Sequence, residues 1–206
     1  MFQEVIGIDF ETTELEPSRG WPWQCGLTHQ VCLDGVWNEV EGVEVVLGIP
    51  RHYKTGKPTR SCNLFSLEVC GLAEAWKQIK AAPPIQEGAE QIARFLASRR
   101  GLPLVAFNSP FDSSQLSELA FLAGGWGKAP GEFVPRAFPI SGVWVDVLAM
   151  ARQKWAGESN KLDDVLGRLG LSRSTERHGA LEDARLAVEV YSILTRESGV
   201  LQEALL

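Results

Sequence analysis

The chain has 206 residues, of which 45% are hydrophobic and 22% are charged. These proportions are typical of one globular domain and exclude disordered, collagen-like and coiled-coil chains. Because no apolar stretch approaches the ~18–20 residues of a membrane helix, the sequence predicts a soluble protein without a membrane partner. The N-terminal segment has no basic leader and carries Glu4, Asp9 and Glu11 within its apolar stretch. We therefore expect no signal peptide and a cytoplasmic location.

Net charge and cysteine content add two expectations. The chain carries a net charge of −6, so positive charge for a polyanionic partner must be local or come from metal ions. Without a secretory signal, the default state of the four cysteines is the reduced thiol. One possible zinc site would consist of Cys25, His29, Cys32 and Cys62. The spacing of these residues, however, fits no common zinc pattern.

The first half of the chain predicts three strands followed by helices. Residues 4–10 form a short apolar run typical of a buried strand, and a loop follows over 14–25. Two strand-like runs, 26–33 and 39–48, are joined through Asp34-Gly35, which is a hairpin signal. A polar loop over 50–63 precedes a helix at about 66–80, which Pro83-Pro84 ends.

The second half alternates strands and helices. Helical spacing predicts a helix over 85–100 before an apolar strand at 102–107. Pro110 opens a helix over about 111–123, a Gly/Pro loop covers 125–142, and a strand at 143–145 leads into a helix from Asp146. Two more helices are predicted over 160–169 and 180–195. We expect a mixed α/β domain over 1–206, with an extended loop or insertion at about 14–75.

Acidic residues stand at the ends of the predicted elements. Asp9 and Glu11 are two residues apart at the end of the first strand, so both carboxylates lie on one face. Two anions held together there repel each other and are costly to desolvate, and a cation relieves both problems. The alternative is an ordinary polar strand end, in which Asp9 caps the turn.

Two further acids begin helices on their apolar side. Asp112 is in register with Leu116 and Leu119, and Asp183 is in register with Ala187 and Val190. Each has an alternative explanation, since an acid in the first turn of a helix is favoured by the helix dipole. Taken together, four such acids supply the oxygen ligands that suit Mg²⁺ or Mn²⁺ rather than zinc.

A histidine lies just before the last predicted helix. His178 precedes Gly179, which lets the backbone turn into the helix. A single histidine is usually structural or solvated. Held near metal-bound carboxylates, however, an imidazole is a suitable general base because its pKa lies near neutrality.

These residues together resemble the motifs of the DEDDh family of 3′–5′ exonucleases. The first family motif, Asp-x-Glu followed by two threonines, is similar to Asp9-Phe10-Glu11-Thr12-Thr13. The second, Asn-x-x-Phe-Asp, is similar to Asn108-Ser109-Pro110-Phe111-Asp112, and the third, His-x-Ala-x-x-Asp, is similar to the residues from His178 to Asp183. The sister DEDDy group has a Tyr four residues before the last Asp, where this chain has Gly179.

The resemblance implies a fold, a cofactor and a role for each residue. The fold would be ribonuclease H-like, with a mixed central sheet flanked by helices. Two Mg²⁺ ions, replaceable by Mn²⁺, would be held by the four acids and hydrolyse phosphodiester bonds at the 3′ end of DNA. Asp9 would bridge the ions, Glu11 and Asp183 would complete one site, and Asp112 would act at the other, while His178 would be the general base.

Substrate contacts implied by the resemblance fall on residues beside the acids: Thr12, Thr13, Leu15, Asn108 and Phe111. Two departures affect these contacts. Glu14 replaces the glycine that often follows the two threonines, and Phe107 replaces the histidine that often precedes the asparagine of the second motif.

Other segments could contact nucleic acid. Residues 51–60 contain four cations and no acid, together with Tyr53, which could stack on a base. A solvated loop explains these residues equally well. Exposed tryptophans could also contact single-stranded bases, although tryptophans more often pack internally. The candidates are Trp21, Trp23 and Trp126, the last together with Lys128.

Three other functions fit parts of the sequence. The same fold could degrade RNA, as the ribonuclease T and oligoribonuclease branches do. It could serve as a non-catalytic binding module, which the complete set of five site residues disfavours, or as a metal-dependent phosphatase of small molecules. Only 23 residues follow Asp183, and the last helix takes most of them. We therefore expect no C-terminal tail of the kind that binds a polymerase in epsilon-type subunits.

Overall fold

The chain folds around one five-stranded mixed sheet. The computed structural model describes residues 2–16, 18–51, 54–55, 57–124, 143–174 and 178–197. The strands are β1 (Glu4–Thr12), β2 (Pro22–Leu33), β3 (Val36–Val46), β4 (Leu104–Ala106) and β5 (Trp144–Asp146). They are arranged in the order β3-β2-β1-β4-β5, so β1 lies at the centre of the sheet.

The first three strands form an antiparallel meander. The β2–β3 hairpin turns at Asp34 and Gly35, whose φ angles of 51° and 79° are those of a two-residue type I′ turn. The Asp-Gly signal in the sequence is therefore confirmed. β1 is buried along most of its length, as expected for a strand with neighbours on both sides and helices above it.

The remaining strands run parallel to β1. Ile6 pairs with Leu104 between β1 and β4, and Val105 pairs with Val145 between β4 and β5. Parallel strands place their carboxyl ends at the same edge of the sheet, which is where open α/β sheets bind ligands. The ends of β1 and β4 therefore bring the first two acidic motifs to one edge.

Helices cover the sheet and complete two apolar clusters. The described residues form seven helices: α1 (Leu64–Glu68), α2 (Leu72–Ala81), α3 (Ile85–Ala97), α4 (Ser109–Gly124), α5 (Val147–Lys154), α6 (Leu162–Arg168) and α7 (Ala180–Glu197). None of these helices combines the length and hydropathy needed to cross a lipid bilayer. α7 packs across β1 and β2, which places its first turn beside the edge where β1 ends.

The structure confirms the predicted fold class, a mixed sheet flanked by helices, and corrects several boundaries. β2 begins at Pro22, so it takes up part of the predicted 14–25 loop. The helix predicted over 66–80 is divided into α1 and α2, because Gly71 adopts a φ of 78° that ends a helical run. The predicted 125–142 loop, with Trp126 and Lys128, and Tyr53 lie outside the described residues.

Candidate active site

Two acidic motifs meet at the carboxyl edge of the sheet. Asp9 and Glu11 lie at the end of β1, and Asp112 lies in the first turn of α4, directly after β4. The backbone N–H of Phe10 donates to Oδ1 of Asp112 over 3.1 Å. Asp112 is 1% exposed, so this hydrogen bond holds a buried carboxylate against the strand that carries the other two acids.

The third motif completes the cluster from the opposite side. Asp183 is buried in the first turn of α7, and His178 is half-buried just before that helix. Ligand atoms of Glu11, His178 and Asp183 all lie within 4.8 Å of one another. The fold thus joins the Glu11 carboxylate to an imidazole and a carboxylate that lie more than 160 residues later in the sequence.

Residues outside the predicted motifs position the start of α7. The backbone N–H of Ala180 donates to Oε1 of Gln24, a buried side chain of β2, over 3.2 Å. The N–H of His178 donates to the carbonyl oxygen of Val69 over 3.1 Å. Because these partners come from β2 and the α1–α2 connection, no local sequence signal pointed to them.

Part of the segment expected as an insertion therefore borders the site. Val69 holds the backbone of His178, and the thiol of the next residue, Cys70, hydrogen-bonds to the Glu11 carboxylate. Burial and the negative charge of Glu11 raise the pKa of this thiol far above its usual value, so Cys70 stays protonated and donates to the carboxylate.

The buried acids repel one another. Burial raises the pKa of Asp9 well above its usual value, and the charges of Asp112 and Glu11 raise it further. Burial also raises the pKa of Glu11 and that of Asp112, although the N–H of Phe10 opposes the shift at Asp112. Each carboxylate is thus in a setting that disfavours its charge, and a cation nearby would reverse that penalty.

This donor set fits divalent metal ions that prefer oxygen. Glu11 lies near Asp183, and the charges of Glu11 and Asp112 act on Asp9. Of these four acids, only Asp9 is partly exposed, and the other three are buried. Carboxylate oxygens are the usual protein ligands of Mg²⁺ and Mn²⁺, and two such ions would balance four negative charges. The residues at this edge therefore fit the metal pair that the sequence analysis predicted.

A positive side chain that sequence analysis missed enters the same cluster. Arg173 forms ion pairs with Asp183 and with Asp163, and its side chain is 8% exposed. Burial lowers the pKa of His178, and the positive charge of Arg173 lowers it further, whereas Asp163 opposes the shift. His178 is therefore held mainly as the neutral imidazole at neutral pH.

The predicted substrate residues have different surroundings. Leu15 and Asn108 are exposed and Phe111 is half-buried, whereas Thr12 is buried. The hydroxyl of Thr13 is fully buried, accepting from the N–H of Trp21 and donating to the carbonyl of Ser61, each over 2.9 Å. Through these two hydrogen bonds, Thr13 connects the loop after β1 to the backbone of Trp21 and Ser61.

The prediction of a possible zinc site is wrong, because the described residues among the four proposed ligands do not come together. Cys25 and Cys32 lie seven residues apart on one strand, or about 23 Å at ~3.3 Å per residue, so they cannot share an ion. No described cluster of potential metal ligands includes a cysteine, and all four thiols are free.

Two other candidate contacts are used inside the protein. Trp21 and Trp23 are 2% exposed and belong to the core, so neither is available to stack on a base. In the basic segment 51–60, Arg60 pairs with Glu118 over 2.6 Å and lies above the Trp21 ring. The segment therefore contributes to the fold through Arg60. Lys57, in contrast, is exposed.

Two curated relatives of this chain are both named DNA polymerase III subunit epsilon. The DNA polymerase III subunit epsilon of Rickettsia prowazekii is 29% identical over 195 residues, which cover 94% of this chain and 74% of the relative. That of Pasteurella multocida is 29% identical over 140 residues, which cover 68% of this chain and 50% of the relative. The chain thus spans between half and three quarters of these relatives. No protein-family model matches it.

Solved structures of similar fold are exonucleases. The nuclease domain of 3′hExo, a DEDDh family member bound to rAMP, has a TM-score of 0.67 at 14% identity, covering 95% of this chain and 93% of that one. The zinc-bound E. coli exonuclease I complex with single-stranded DNA has a TM-score of 0.69 at 14% identity, covering 98% and 42%. In sequence this chain is therefore similar to DNA polymerase III epsilon subunits, and in fold it is similar to DEDDh exonucleases, whose three motifs its own site residues resemble.

Proposed function

We propose that this chain shortens single-stranded DNA from its 3′ end, releasing nucleoside 5′-monophosphates with the help of two Mg²⁺ ions. The observation that carries this proposal is the convergence of Glu11, His178 and Asp183 within 4.8 Å, together with Asp112, which the N–H of Phe10 holds against β1. The relatives named as subunits of a DNA polymerase support DNA as the substrate.

Each acid has a distinct place in the proposed chemistry. The charges of both Glu11 and Asp112 act on Asp9, so Asp9 would help to hold both ions, Glu11 and Asp183 would hold one of them, and Asp112 would act at the other. Two divalent ions at such a site activate the attacking water and stabilise the leaving oxygen. Asp112 would act partly through water, because its Oδ1 already accepts the N–H of Phe10.

His178 would accept the proton of the attacking water. Its Nδ1 lies 3.6 Å from Oδ2 of Asp183, and its Nε2 lies 3.9 Å from Oδ2 of Asp163. Since the ring is only half-buried, it can reach solvent beside the metal ligands. The lowered pKa of His178 favours the neutral form that a general base requires.

An open cleft beside the second motif would receive the DNA strand. It has a volume of about 510 Å³, within the range of ordinary ligand pockets, and Asn108, Arg152 and Lys161 are among the residues that line it. Among its described lining residues, the acid is Glu158, which is paired with Arg168 over 3.0 Å. The cleft therefore offers two exposed cations to phosphates.

The 3′-terminal nucleotide would contact residues next to the acids. Leu15 is 72% exposed just after β1, and Asn108 and Phe111 lie at the start of α4, next to the Asp112 carboxylate. An exposed apolar side chain and a partly exposed aromatic ring can pack against a base and sugar without reading sequence.

The test is hydrolysis of a 5′-labelled single-stranded DNA oligonucleotide with Mg²⁺, with EDTA, and with Asp9→Asn protein. We expect a ladder that shortens from the 3′ end only with Mg²⁺ and wild-type protein. Glu182→Gln is the matched control, since Glu182 neighbours Asp183 in α7 but accepts from the N–H of Ser174 instead. This control should retain activity.

A matched RNA oligonucleotide tests the substrate class. Faster shortening of RNA than of DNA would replace the DNA proposal by the exoribonuclease alternative. Intact DNA and RNA under both Mg²⁺ and Mn²⁺ would overturn the proposed activity and favour a binding role.

A further inference from the structure

Arg173 lies among the carboxylates that would hold the metal ions. Its side chain is 8% exposed, its Nη1 forms an ion pair with Oδ1 of Asp183, and Nε donates to Oδ1 of Asp163 over 2.8 Å. Its positive charge also acts on Asp9 and Glu11, whose pKa values it lowers against the effect of burial. The guanidinium thus lies inside the cluster rather than at its rim.

Charge, rather than a full set of hydrogen bonds, holds this guanidinium in place. Among the described residues, Nη2 has no hydrogen-bond partner, while Nη1 contacts only Oδ1 of Asp183. A buried guanidinium normally satisfies its fork of five donors, because an unsatisfied charged donor is costly. At this position, the compensation comes from the negative charge of the surrounding acids.

The contact with Asp183 conflicts with metal binding. Asp183 is one of the three residues whose ligand atoms converge within 4.8 Å. A guanidinium at Oδ1 and a divalent cation on the same carboxylate repel each other, so the contact with Arg173 weakens binding of the cation. Asp163, in contrast, is 62% exposed and can keep Nε of Arg173 when Nη1 moves away.

We propose that Arg173 is the counter-cation of the metal-free site, and that a divalent cation binds by displacing its guanidinium from Asp183. This inference rests on the proposed function only for the location of the metal site. The exchange lowers the affinity for the cation, because the ion pair with Asp183 must be broken first. Arg173 also offsets repulsion among the acids before the cation arrives.

The test is calorimetric titration of the metal-free protein with Mn²⁺, which needs no substrate or turnover. We expect Arg173→Met to bind Mn²⁺ about tenfold more tightly than wild type, because the ion pair with Asp183 no longer has to be broken. Arg173→Lys retains the charge and should give a smaller gain. Arg168→Met is the control, because Arg168 pairs with Glu158 instead of a metal-site acid, and its affinity should match wild type.

A second measurement uses only the wild-type chain, in case the Met variant fails to fold. Phenylglyoxal labels accessible guanidinium groups, and mass spectrometry locates the product. Arg173 should react slowly in the metal-free protein and faster with saturating Mn²⁺.

Three results would overturn the inference: equal or weaker Mn²⁺ binding by Arg173→Met, an equal gain in Arg173→Lys, or labelling of Arg173 that Mn²⁺ does not increase. Failure of the nuclease activity would leave a distinct signature, in which Mn²⁺ still binds and still increases the labelling while oligonucleotides remain intact.

Discussion

Gly26 of β2 lies directly against the backbone of Ala180, the first residue of α7. A β-carbon built on Gly26 would approach the carbonyl carbon of Ala180 to 2.1 Å and the nitrogen of Leu181 to 2.2 Å. Only glycine permits this approach. Because Asp183 lies in the same first turn of α7, the contact sets how close this carboxylate comes to the acids of β1.

Gly26→Ala should destabilise the protein and disturb the site. The added methyl group meets backbone atoms that cannot rotate away, so we expect a loss of at least about 2 kcal/mol in the free energy of unfolding. Nuclease activity and Mn²⁺ affinity should both fall, as α7 must shift. Denaturant unfolding and calorimetry measure these two effects.

Gly167→Ala is the matched control for this substitution. Gly167 lies in α6, and a β-carbon there meets no atom within 4 Å. Alanine should therefore stabilise the helix by roughly 0.5–1 kcal/mol. Unchanged stability in Gly26→Ala would show that β2 and α7 separate at little cost.

Asp112→Asn should stabilise the metal-free protein near neutral pH. The amide oxygen can still accept the N–H of Phe10, but the buried negative charge is removed. We expect Tm in EDTA to rise by several degrees, because each kcal/mol is worth about 2–4 °C in a chain of this size. The stabilisation by added Mn²⁺ should shrink in the same variant.

The pH dependence of this effect has a definite sign. Burial raises the pKa of Asp112 well above its usual value of 3.8, so its contribution to stability is fully present below that value and is lost as pH rises through the folded-state pKa. The advantage of Asp112→Asn should therefore disappear in acid. Glu87→Gln, on an exposed side chain of α3, should show no such advantage at either pH.

His178→Gln should lower kcat by about 10²–10⁴, the usual contribution of a general base. Burial and Arg173 lower the pKa of His178 from 6.5, and metal ions would act in the same direction. The acid limb of the pH–kcat profile in wild type should thus have its midpoint below pH 6.5. An acid limb above pH 7, or one unchanged in the variant, would contradict the role of His178.

Arg152→Ala combined with Lys161→Ala tests the cleft. KM for a long single-stranded oligonucleotide should rise, and the slope of log KM against log salt should fall by about 1.4, or ~0.7 for each lost phosphate contact. Hydrolysis of p-nitrophenyl thymidine 5′-monophosphate should stay unchanged, because that substrate has no further phosphates.

Arg100→Ala is the control for the cleft. Arg100 precedes β4 and so lies toward the opposite edge of the sheet from the acids, and this variant should leave the salt slope unchanged. An equal loss of activity on the short and long substrates in the cleft variant would instead indicate damage to the catalytic centre.

Local sequence patterns were sufficient for the fold class and for the acidic positions. The spacing of Asp9 and Glu11 follows strand periodicity, and the positions of Asp112 and Asp183 follow the apolar stripes of α4 and α7. Such patterns depend on residues within one or two turns of each other, so they can be recognised without knowing the fold. The Asp34-Gly35 hairpin was predicted on the same basis.

The sequence by itself therefore predicted the ribonuclease H-like layout, through its resemblance to a known family, and the acids and histidine of the candidate site. Only the tertiary structure decided that Gln24 and Val69 hold the start of α7, that Thr13 is a structural residue, and that Arg173 lies between the acids. These contacts join residues distant in the chain. They follow from how β2, α1 and α7 pack together, and packing leaves no periodic or capping signal near the residues it brings into contact.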